Sequence, residues 1–323
     1  MSLPLNLQQA LNNIINNFAP ALLQQAYSRL STHYRDNREQ IHYSLNNEAE
    51  RISYIAARMP ATFAAVVKGL NEISLQDNFT IKSILDVGAG PGTASWACCE
   101  LFPSIEKIQL IEQNKEMLDI AKTLAQQHEK LKTATWINGD VLDKTQNLLK
   151  ADLVIASYSF NEIASQFKEE FLNYYWELTN KILIIIDPGT PESFQGLSMA
   201  REFFIKKNAH ILAPCPHHLV CPAQKNRDWC HFSVRLQRSL LHKNLKQADK
   251  GYEDEKFSYL IVSKTPTNST YSARITRHPD IHSGHLKLQL CTSDGSLSKT
   301  YSKKDGSRYK AARKAEWGER WEL

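Results

Sequence analysis

The sequence predicts an α/β fold in which helices flank a mainly parallel sheet of seven strands. After residue 80, short apolar runs alternate with segments of helical periodicity, and this alternation is typical of parallel sheets. The first run ends in a glycine-rich turn, as the first strand of a doubly wound fold does. With 42% hydrophobic and 23% charged residues in 323, the composition is that of a globular protein.

Residues 1–78 are predicted to form an N-terminal helical cap. Between residues 11 and 18, apolar side chains recur at i, i+3, i+4 and i+7, the spacing of an amphipathic helix. A second helix is predicted over residues 46–59, and Pro60 is predicted to break or restart it.

Residues 79–265 are predicted to hold the sheet. Its strands are the apolar runs at residues 82–90, 107–113, 134–139, 151–159, 181–189, 209–214 and 256–264. A cysteine-rich insertion is predicted over residues 213–250, and a small basic β module with a tail over residues 266–323. In that module, residues 285–310 alternate apolar and polar side chains around Asp-Gly turns, which predicts β-hairpins.

The first chemical motif is "ILDVGAGPGTASWA" at residues 84–97. Glycine adopts positive φ and lets a ligand approach the backbone, and the following helix N-terminus offers free N–H groups. The spacing is GxGxG with Asp86 before it, which differs from the dinucleotide pattern GxGxxG. Pro91 removes one N–H from the turn, which makes a pyrophosphate cradle less attractive.

Two further acidic residues follow the next strands. Glu112 closes the second strand, where a carboxylate suits hydrogen bonds to ribose hydroxyls. Asp140 ends the third strand, where an adenine amino group would lie.

These residues resemble the class I S-adenosylmethionine-dependent methyltransferase pattern over residues 80–264. The resemblance implies a Rossmann-like sheet whose sixth strand runs parallel to its neighbours. It implies Glu112 on the ribose and Asp140 by the adenine of the cofactor. The residues expected around its amino-acid half are Asp86, Gly88, Gly90 and Gly92. A related sheet that has lost its cofactor is the alternative.

The acceptor of a methyl group is less clearly indicated. The fourth strand ends in "SYSFNEI" at residues 157–163, without the Asn- or Asp-Pro-Pro-aromatic stretch of many amino-methylating enzymes of DNA and RNA. Asn161 and Glu162 are the catalytic candidates, and capping the following helix is the alternative for both.

Three cysteines in the spacing C-x5-C-x8-C form a second chemical motif. We expect a reducing compartment, in which clustered cysteines indicate metal ligands rather than disulfides. Zinc and an iron–sulfur cluster both suit thiolates, and His217, His231 or Cys291 would complete the site. Three unrelated loop cysteines are the alternative, and Cys98 and Cys99 are assigned to packing.

The positive charge is concentrated at the C-terminus. Residues 264–323 carry 12 Lys and Arg against 6 Asp and Glu, while residues 1–263 carry 27 against 28. Such asymmetry suggests contact with a polyanion such as nucleic acid, and a solvated basic tail is the alternative. A helix is predicted over residues 234–246, with a basic face that either contacts phosphates or pairs with the acidic residues of 252–256. The RNA-binding candidates are Arg235, Arg238, His242, Lys243, Lys246, Lys303, Lys304, Arg308, Lys310, Arg313 and Lys314.

The order of several motifs resembles one family. They include "RMPATFAAV" (58–66), "DPGTPESF" (187–194), "DWCHFSVRLQRSLLHKNLK" (228–246) and "YKAARKAEWGE" (309–319). Over about residues 50–320, the chain resembles the mitochondrial ribosomal small-subunit protein 22 family, also called methyltransferase-like protein 17.

The resemblance implies a role in assembling the small ribosomal subunit, with binding to its RNA and to the pre-ribosomal particle. It implies a [4Fe–4S] cluster whose ligands are Cys215, Cys221, Cys230 and Cys291. The family has bacterial members, and the N-terminus lacks a transit peptide, so we expect a monomer in a bacterial cytoplasm that does not enter a membrane. An active RNA methyltransferase with a structural zinc is the alternative.

Overall fold

A computed structural model describes residues 2–36, 45, 47–76, 79–225, 227–246, 248–266 and 271–323, without the side chains of residues 33–36. Residue 46, where a helix is predicted to begin, lies outside this set. So do residues 77–78 and 267–270, which adjoin the two predicted domain boundaries.

The described part of the N-terminal region is helical, as predicted, and contains three helices. They are α1 (Leu5–Ile15), α2 (Pro20–Asp36) and α3 (Glu48–Ser74). Helix α3 begins at Asn47, whose side chain accepts a hydrogen bond from the Glu50 amide at 2.9 Å. The prediction that Pro60 breaks the helix is wrong, because α3 continues through it. Buried Met59 and Ala61 on either side hold the segment against the core, so packing outweighs the lost backbone hydrogen bond.

Eight strands of the described chain form the central sheet. They are β1 (Ser83–Val87), β2 (Lys107–Glu112), β3 (Thr135–Asn138), β4 (Ala151–Ser157), β5 (Thr179–Pro188), β6 (His210–Ala213), β7 (Phe232–Gln237) and β8 (Tyr252–Ser263). Their order is β3-β2-β1-β4-β5-β8-β6, with β7 also pairing with β8. Strands β1 to β5 are parallel, and the order reverses between β1 and β4. In doubly wound sheets a ligand crevice lies at this reversal.

The seven predicted strands are all present, but two details of the prediction are wrong. Strand β6 lies beside β8, which is antiparallel to it and to β5. Strand β6 therefore runs in the direction of β1 to β5 without having a parallel neighbour. Its carboxyl end still reaches the edge of the sheet that carries the glycine turn.

The second error is the helix predicted over residues 234–246. Residues 232–237 form strand β7, which pairs with β8 from Phe232 opposite Phe257 to Gln237 opposite Tyr252. Only α9 (Leu240–Leu245) is helical. Phe232 and Leu236 are buried along β7, so a strand with one buried face explains them and a helix with one basic face does not form.

Helices cover both faces of the sheet. They are α4 (Thr93–Leu101), α5 (Lys115–Ala125), α6 (Lys168–Leu178), α7 (Pro191–Lys206) and α8 (Pro222–Lys225). Helices α3, α4 and α5 pack on one face, and α6 and α7 pack on the other. Gly69 lets α3 approach β5 closely, since a Cβ there would lie 3.1 Å from the Ile186 side chain. No helix of the described chain is both long and apolar enough to cross a bilayer.

The C-terminal residues form a second sheet, in which every strand pair of the described residues is antiparallel. Its strands are β9 (Ala273–Ile275), β10 (Asp280–Ile281), β11 (His285–Thr292), β12 (Gly295–Ser302) and β13 (Arg320–Trp321). Strands β11 and β12 form the predicted hairpin. The rest of the hairpin prediction is wrong, because a short 3-10 helix (Lys303–Asp305) and α10 (Ser307–Ala312) follow. Buried Tyr309 and Ala312 close this sheet's own apolar core.

A buried cluster of ion pairs connects this sheet to helix α3. Arg274 of β9 contacts Glu72 of α3 at 2.5 Å, and Arg320 of β13 contacts the same carboxylate at 2.7 Å. Burial alone would raise the pKa of Glu72, but the two guanidinium groups outweigh it and the pKa is lowered. One carboxylate of the helical cap therefore holds two strands of the C-terminal sheet.

Candidate functional site: cofactor cleft and cysteine cavity

The glycine turn forms one wall of an open cleft at the reversal point of the sheet. Gly88, Gly90 and Gly92 all have positive φ, between 52° and 78°. A Cβ on Gly88 would lie 2.5 Å from the Ser159 Cβ, so this position requires glycine. A Cβ on Gly90 would meet nothing within 4 Å, which leaves open space beside the turn for a ligand.

Glu112 holds this turn from the end of β2. Its Oε2 accepts a hydrogen bond from the Gly90 amide and its Oε1 accepts one from the Asn114 amide, both at 2.8 Å. Glu112, Gly88 and Gly90 line the cleft, whose volume is about 810 Å³ including its open mouth. The structure therefore brings three of the predicted cofactor-binding residues together.

Three other predicted cofactor residues do not line this cleft. Asp86 lies beneath the turn, where its Oδ2 accepts hydrogen bonds from the Ser95 amide (3.0 Å) and hydroxyl (2.7 Å). Burial raises the pKa of Asp86 to about 7. Asp140 is exposed, and its Oδ1 accepts a hydrogen bond from the Leu142 amide at 2.9 Å. Gly92 begins α4 behind the turn.

Helix α3 covers the cleft from the opposite side. Arg58 of α3 lines it and forms two hydrogen bonds to Glu255 of β8, at 2.9 and 3.4 Å. Glu255 also accepts a hydrogen bond from the Tyr158 hydroxyl at 2.8 Å. Tyr158 lines the cleft with a φ of 57°, and such strain in a bulky residue is typical of functional sites.

The two catalytic candidates lie on a 3-10 helix (Phe160–Glu162) after β4. Glu162 lines the cleft. The Asn161 Oδ1 is buried without a hydrogen-bond partner. Neither carboxylate oxygen of the buried Asp187 has a well-formed hydrogen bond, although the Asn161 amide lies close enough to lower its pKa. Burial dominates and raises the pKa of Asp187 to about 7.

The four predicted metal ligands line one cavity, whose volume is about 790 Å³ including its open mouth. Cys215 follows β6, Cys221 and Cys230 lie in the loops around α8, and Cys291 lies on β11 of the C-terminal sheet. The cavity therefore joins the two sheets. By contrast, Cys98 and Cys99 are buried in α4 within the core, as expected for packing residues.

The four thiols are mutual electrostatic neighbours. Burial raises the pKa of Cys291 to about 12 and that of Cys230 well above its usual value, and Cys215 and Cys221 raise both further. Cys215 is likewise affected by Cys221. No three His, Cys, Asp or Glu side chains of the described residues are arranged to hold a single metal ion. The thiols thus surround a space rather than meet at one point.

The histidine candidates differ in their relation to this cavity. The Nε2 of His217 lies 3.6 Å from the Cys291 Sγ, and its Nδ1 is buried without a partner. His231 instead stacks on Trp229, with ring centroids 5.1 Å apart, and contacts Trp317 edge-on. Of these two histidines, His217 is the one placed to replace a thiolate as a ligand.

The RNA-binding candidates fall into two groups. Arg235 pairs with Asp254 at 2.7 Å, and Glu253 pairs with Arg238 (3.2 Å) and Lys246 (2.6 Å). This is the pairing with residues 252–256 that formed the alternative interpretation. The candidates of the tail are exposed and form no ion pair with an Asp or Glu side chain of the described residues, and Arg308 donates a hydrogen bond to the Leu323 main-chain oxygen at 3.2 Å. They are Lys303, Lys304, Arg308, Lys310, Arg313 and Lys314.

Sequence reasoning missed several residues of both sites. Arg58 lies in a quoted motif, "RMPATFAAV", and Asp187 ends the apolar run "ILIII", so both carried a local signal. Arg201 and Glu72 carried none, because each is a charged residue in an ordinary helical pattern whose partners lie far away in the sequence.

A family model described as mitochondrial small ribosomal subunit Rsm22 matches residues 48–322. The chain belongs to the Rsm22 family. The match runs from α3 to the last strand, so the cap helix, the cleft and the cysteine cavity of this Rsm22 protein all lie within the family's shared region.

Curated relatives agree with this assignment. The human ribosome assembly protein METTL17, mitochondrial, is 25% identical over 84% of this chain and 62% of its own length. The Rsm22-cox11 tandem protein 1 of Schizosaccharomyces pombe is 26% identical over 97% of this chain and 48% of its own. This Rsm22 chain thus spans about half to three fifths of the length of these two relatives.

Solved structures of methyltransferases align with part of the chain. Magnesium protoporphyrin IX methyltransferase from Synechocystis PCC 6803, with bound SAH, aligns with 74% of this Rsm22 chain and 100% of its own, at a TM-score of 0.43 and 11% identity. TrmK of M. capricolum, also with SAH, covers 61% of this chain and 67% of its own, at a TM-score of 0.37 and 12% identity.

Proposed function

We propose that this Rsm22 protein is an assembly factor of the small ribosomal subunit that binds ribosomal RNA and carries a [4Fe–4S] cluster on Cys215, Cys221, Cys230 and Cys291. The observation that carries the proposal is the cavity lined by four cysteines, three from the segment between β6 and β7 and one from β11 of the C-terminal sheet. The curated relatives named as ribosome assembly proteins support the cellular role.

The donor set of the cavity supports a cluster. Four thiolates are the usual ligands of a [4Fe–4S] group. A mononuclear zinc site needs its ligands to converge within about 2.3 Å of one ion, and the described side chains form no such group. A cluster fills the space between ligands that surround a cavity, and when bound it supplies the bonds that hold the C-terminal sheet to the core.

The cleft fits S-adenosylmethionine as a ligand. Glu112 would hold the ribose while it fixes the turn, and the space beside Gly90 would take the amino-acid half. Asp86 would support the turn from below, and exposed Asp140 would lie by the adenine. The cofactor, when bound, carries an activated methyl group. In an assembly factor the occupied cleft would act as a binding platform that need not transfer that methyl group.

Iron and acid-labile sulfide content tests the proposal. After anaerobic purification, we expect about four irons and four sulfides per chain in the wild type. We expect Cys291→Ser to lose most of both, because one ligand of four is gone. The visible absorption spectrum gives an independent measure of cluster content.

Cys99→Ser is the matched control for this measurement. Its thiol is buried in α4, away from the cavity, so it should keep the wild-type content. One zinc and no sulfide in the wild type would contradict the cluster, and His217 would then be examined as a zinc ligand. Equal iron content in Cys291→Ser and the wild type would remove Cys291 from the ligand set.

The exposed cations of the tail are the better-supported RNA contacts. They form no ion pair with an Asp or Glu side chain of the described residues, whereas Arg235, Arg238 and Lys246 do. When an unpaired lysine or arginine neutralises a phosphate, counterions condensed on the RNA are released, and this release strengthens binding. Lys243 and the paired residues remain secondary candidates.

The salt dependence of RNA binding tests this surface. Changing Lys303, Lys304, Lys310 and Lys314 to Gln should weaken binding to a small-subunit RNA fragment. It should also reduce the slope of log K against log salt by about 0.7 for each single-strand phosphate that the variant no longer neutralises. The control changes Lys107, Lys115, Lys132 and Lys150 to Gln. These lysines are also exposed, form no ion pair among the described residues and lie outside the C-terminal sheet. Equal slopes for the two variants would contradict the assignment.

An active RNA methyltransferase with a structural zinc is the second candidate. The buried Asn161 Oδ1 and the Asp187 carboxylate favour it, because acceptors next to the cleft-lining Glu162 suit an amino group as the methyl acceptor. Transfer of a labelled methyl group from the cofactor to small-subunit RNA would support this function over the first.

The cellular compartment and the oligomeric state of the protein are also proposals. Six cysteines are free in the structure, and the four cavity thiols must stay reduced to bind a cluster. This requirement favours a reducing compartment such as a bacterial cytoplasm. A monomer is proposed, with the pre-ribosomal particle as its partner.

A further inference from the structure

Arg201 of α7 is a buried cation directed at the cysteine cavity. Its side chain lines the cavity and is 5% exposed. Its Nε donates a hydrogen bond to the Cys215 Sγ at 3.3 Å, and its Nη2 donates to the carbonyls of His217 (2.9 Å) and Leu219 (2.7 Å). Arg201 therefore contacts both the Cys215 thiol and the backbone of the loop that follows Cys215.

Three arginines line the cavity, and Arg201 differs from the other two. Arg274 is paired with Glu72, and Arg277 is paired with Asp228 at 2.6 Å. Arg201 has no carboxylate partner among the described residues. A buried charge without a counter-charge is strongly unfavourable. A negatively charged group bound in the cavity that Arg201 lines would supply this counter-charge.

A cysteine-bound cluster would provide that charge. Four thiolates around an oxidised [4Fe–4S] core of charge 2+ carry a net charge of −2, and one-electron reduction makes it −3. Arg201 lies against one of these thiolates, and it also lowers the pKa of Cys215 and Cys291 relative to burial alone. Its charge is thus well placed to act on the whole group.

We propose that Arg201 is the internal counter-cation of the cluster, and that its hydrogen bond to Cys215 stabilises the reduced state. This inference rests on the proposed function, since it requires the cluster. Reduction adds one negative charge beside a fixed positive one, so removing the positive charge disfavours reduction. Hydrogen bonds to cluster sulfurs and nearby net charge are both known to set cluster potentials.

The test is a redox titration of the whole purified protein, with dithionite as the one-electron donor and the reduced cluster measured by its electron paramagnetic resonance signal. At the solution potential where half of the wild-type cluster is reduced, we expect Arg201→Gln to have a roughly tenfold lower ratio of reduced to oxidised cluster. A tenfold change is 59 mV for a one-electron couple. Lys206→Gln, which removes an exposed charge from the same helix, should leave the ratio unchanged.

Arg201→Lys separates charge from general damage. It keeps the cation and should hold its ratio within about threefold of the wild type. If Arg201→Gln contains no cluster, the proposal is still supported when Arg201→Lys contains a cluster whose ratio of reduced to oxidised form equals that of the wild type. Loss of the cluster from both variants overturns the proposal. A wild-type ratio in Arg201→Gln would also overturn it.

The wild-type protein distinguishes a missing cluster from a different role for Arg201. A wild-type protein without iron and sulfide would refute the proposed cluster and this inference together. A wild-type protein with a full cluster whose ratio does not depend on Arg201 would refute only the inference.

Discussion

Glu72→Ala should destabilise the protein by about 3–5 kcal/mol, the usual cost of removing one partner of a buried ion pair. Arg274 would be left buried without a counter-charge, and Arg320 would lose the same partner. The destabilisation should be concentrated in the C-terminal sheet, because both arginines belong to it. Urea denaturation, followed by intrinsic fluorescence, measures the change in the free energy of unfolding.

Glu106→Ala provides the matched comparison for this change. Its carboxylate is 65% exposed and lies 3.8 Å from Lys82, and exposed pairs contribute at most about 1 kcal/mol. Similar unfolding free energies for the two variants would show that Glu72 does not hold the C-terminal sheet.

Gly90→Arg should abolish binding of S-adenosylhomocysteine, with at least a roughly 100-fold rise in Kd. The added side chain would enter the open space beside the turn, where a Cβ meets no neighbour within 4 Å. A 100-fold change corresponds to about 2.7 kcal/mol, and isothermal titration calorimetry measures it directly. The positive φ of 52° adds a strain of about 1–2 kcal/mol to the folded state.

Gly284→Arg controls for that strain. Gly284 also has a positive φ and open space around it, but it lies in the C-terminal sheet. It should bind the ligand as the wild type does. Undiminished binding in Gly90→Arg would place the cofactor elsewhere. Loss of binding with normal ribosome assembly would show that the cofactor is dispensable for the proposed role.

The elements that sequence reasoning predicted well are those with a local cause. Strands β1, β4 and β5 are apolar runs because helices bury both of their faces, and the glycine turn follows from backbone conformations that only glycine adopts easily. The sequence also indicated that Cys215, Cys221 and Cys230 would lie close together. The residues alone left the fourth member of the group open, and only the family resemblance pointed to Cys291.

The elements that it predicted poorly depend on distant partners. Residues 232–237 combine Phe232, Val234 and Leu236 with an arginine, and a second arginine follows directly, a pattern that fits a helix as well as a strand. Pairing with β8 decides between them, and Asp254 and Glu253 of that strand take up the arginine charges. Similarly, no pattern around Arg201 or Glu72 indicates what each will meet after folding.

Strand β8 has a consequence for how the molecule can open. It pairs with β5, β6 and β7 at once. Its Glu255 holds Arg58 and Tyr158 of the cleft, and three residues later the Ser258 hydroxyl donates a hydrogen bond to the Cys230 carbonyl at the cysteine cavity. Local unfolding proceeds in cooperative segments. A fluctuation that frees this strand would release both sites together, so the cleft and the cavity share one opening free energy.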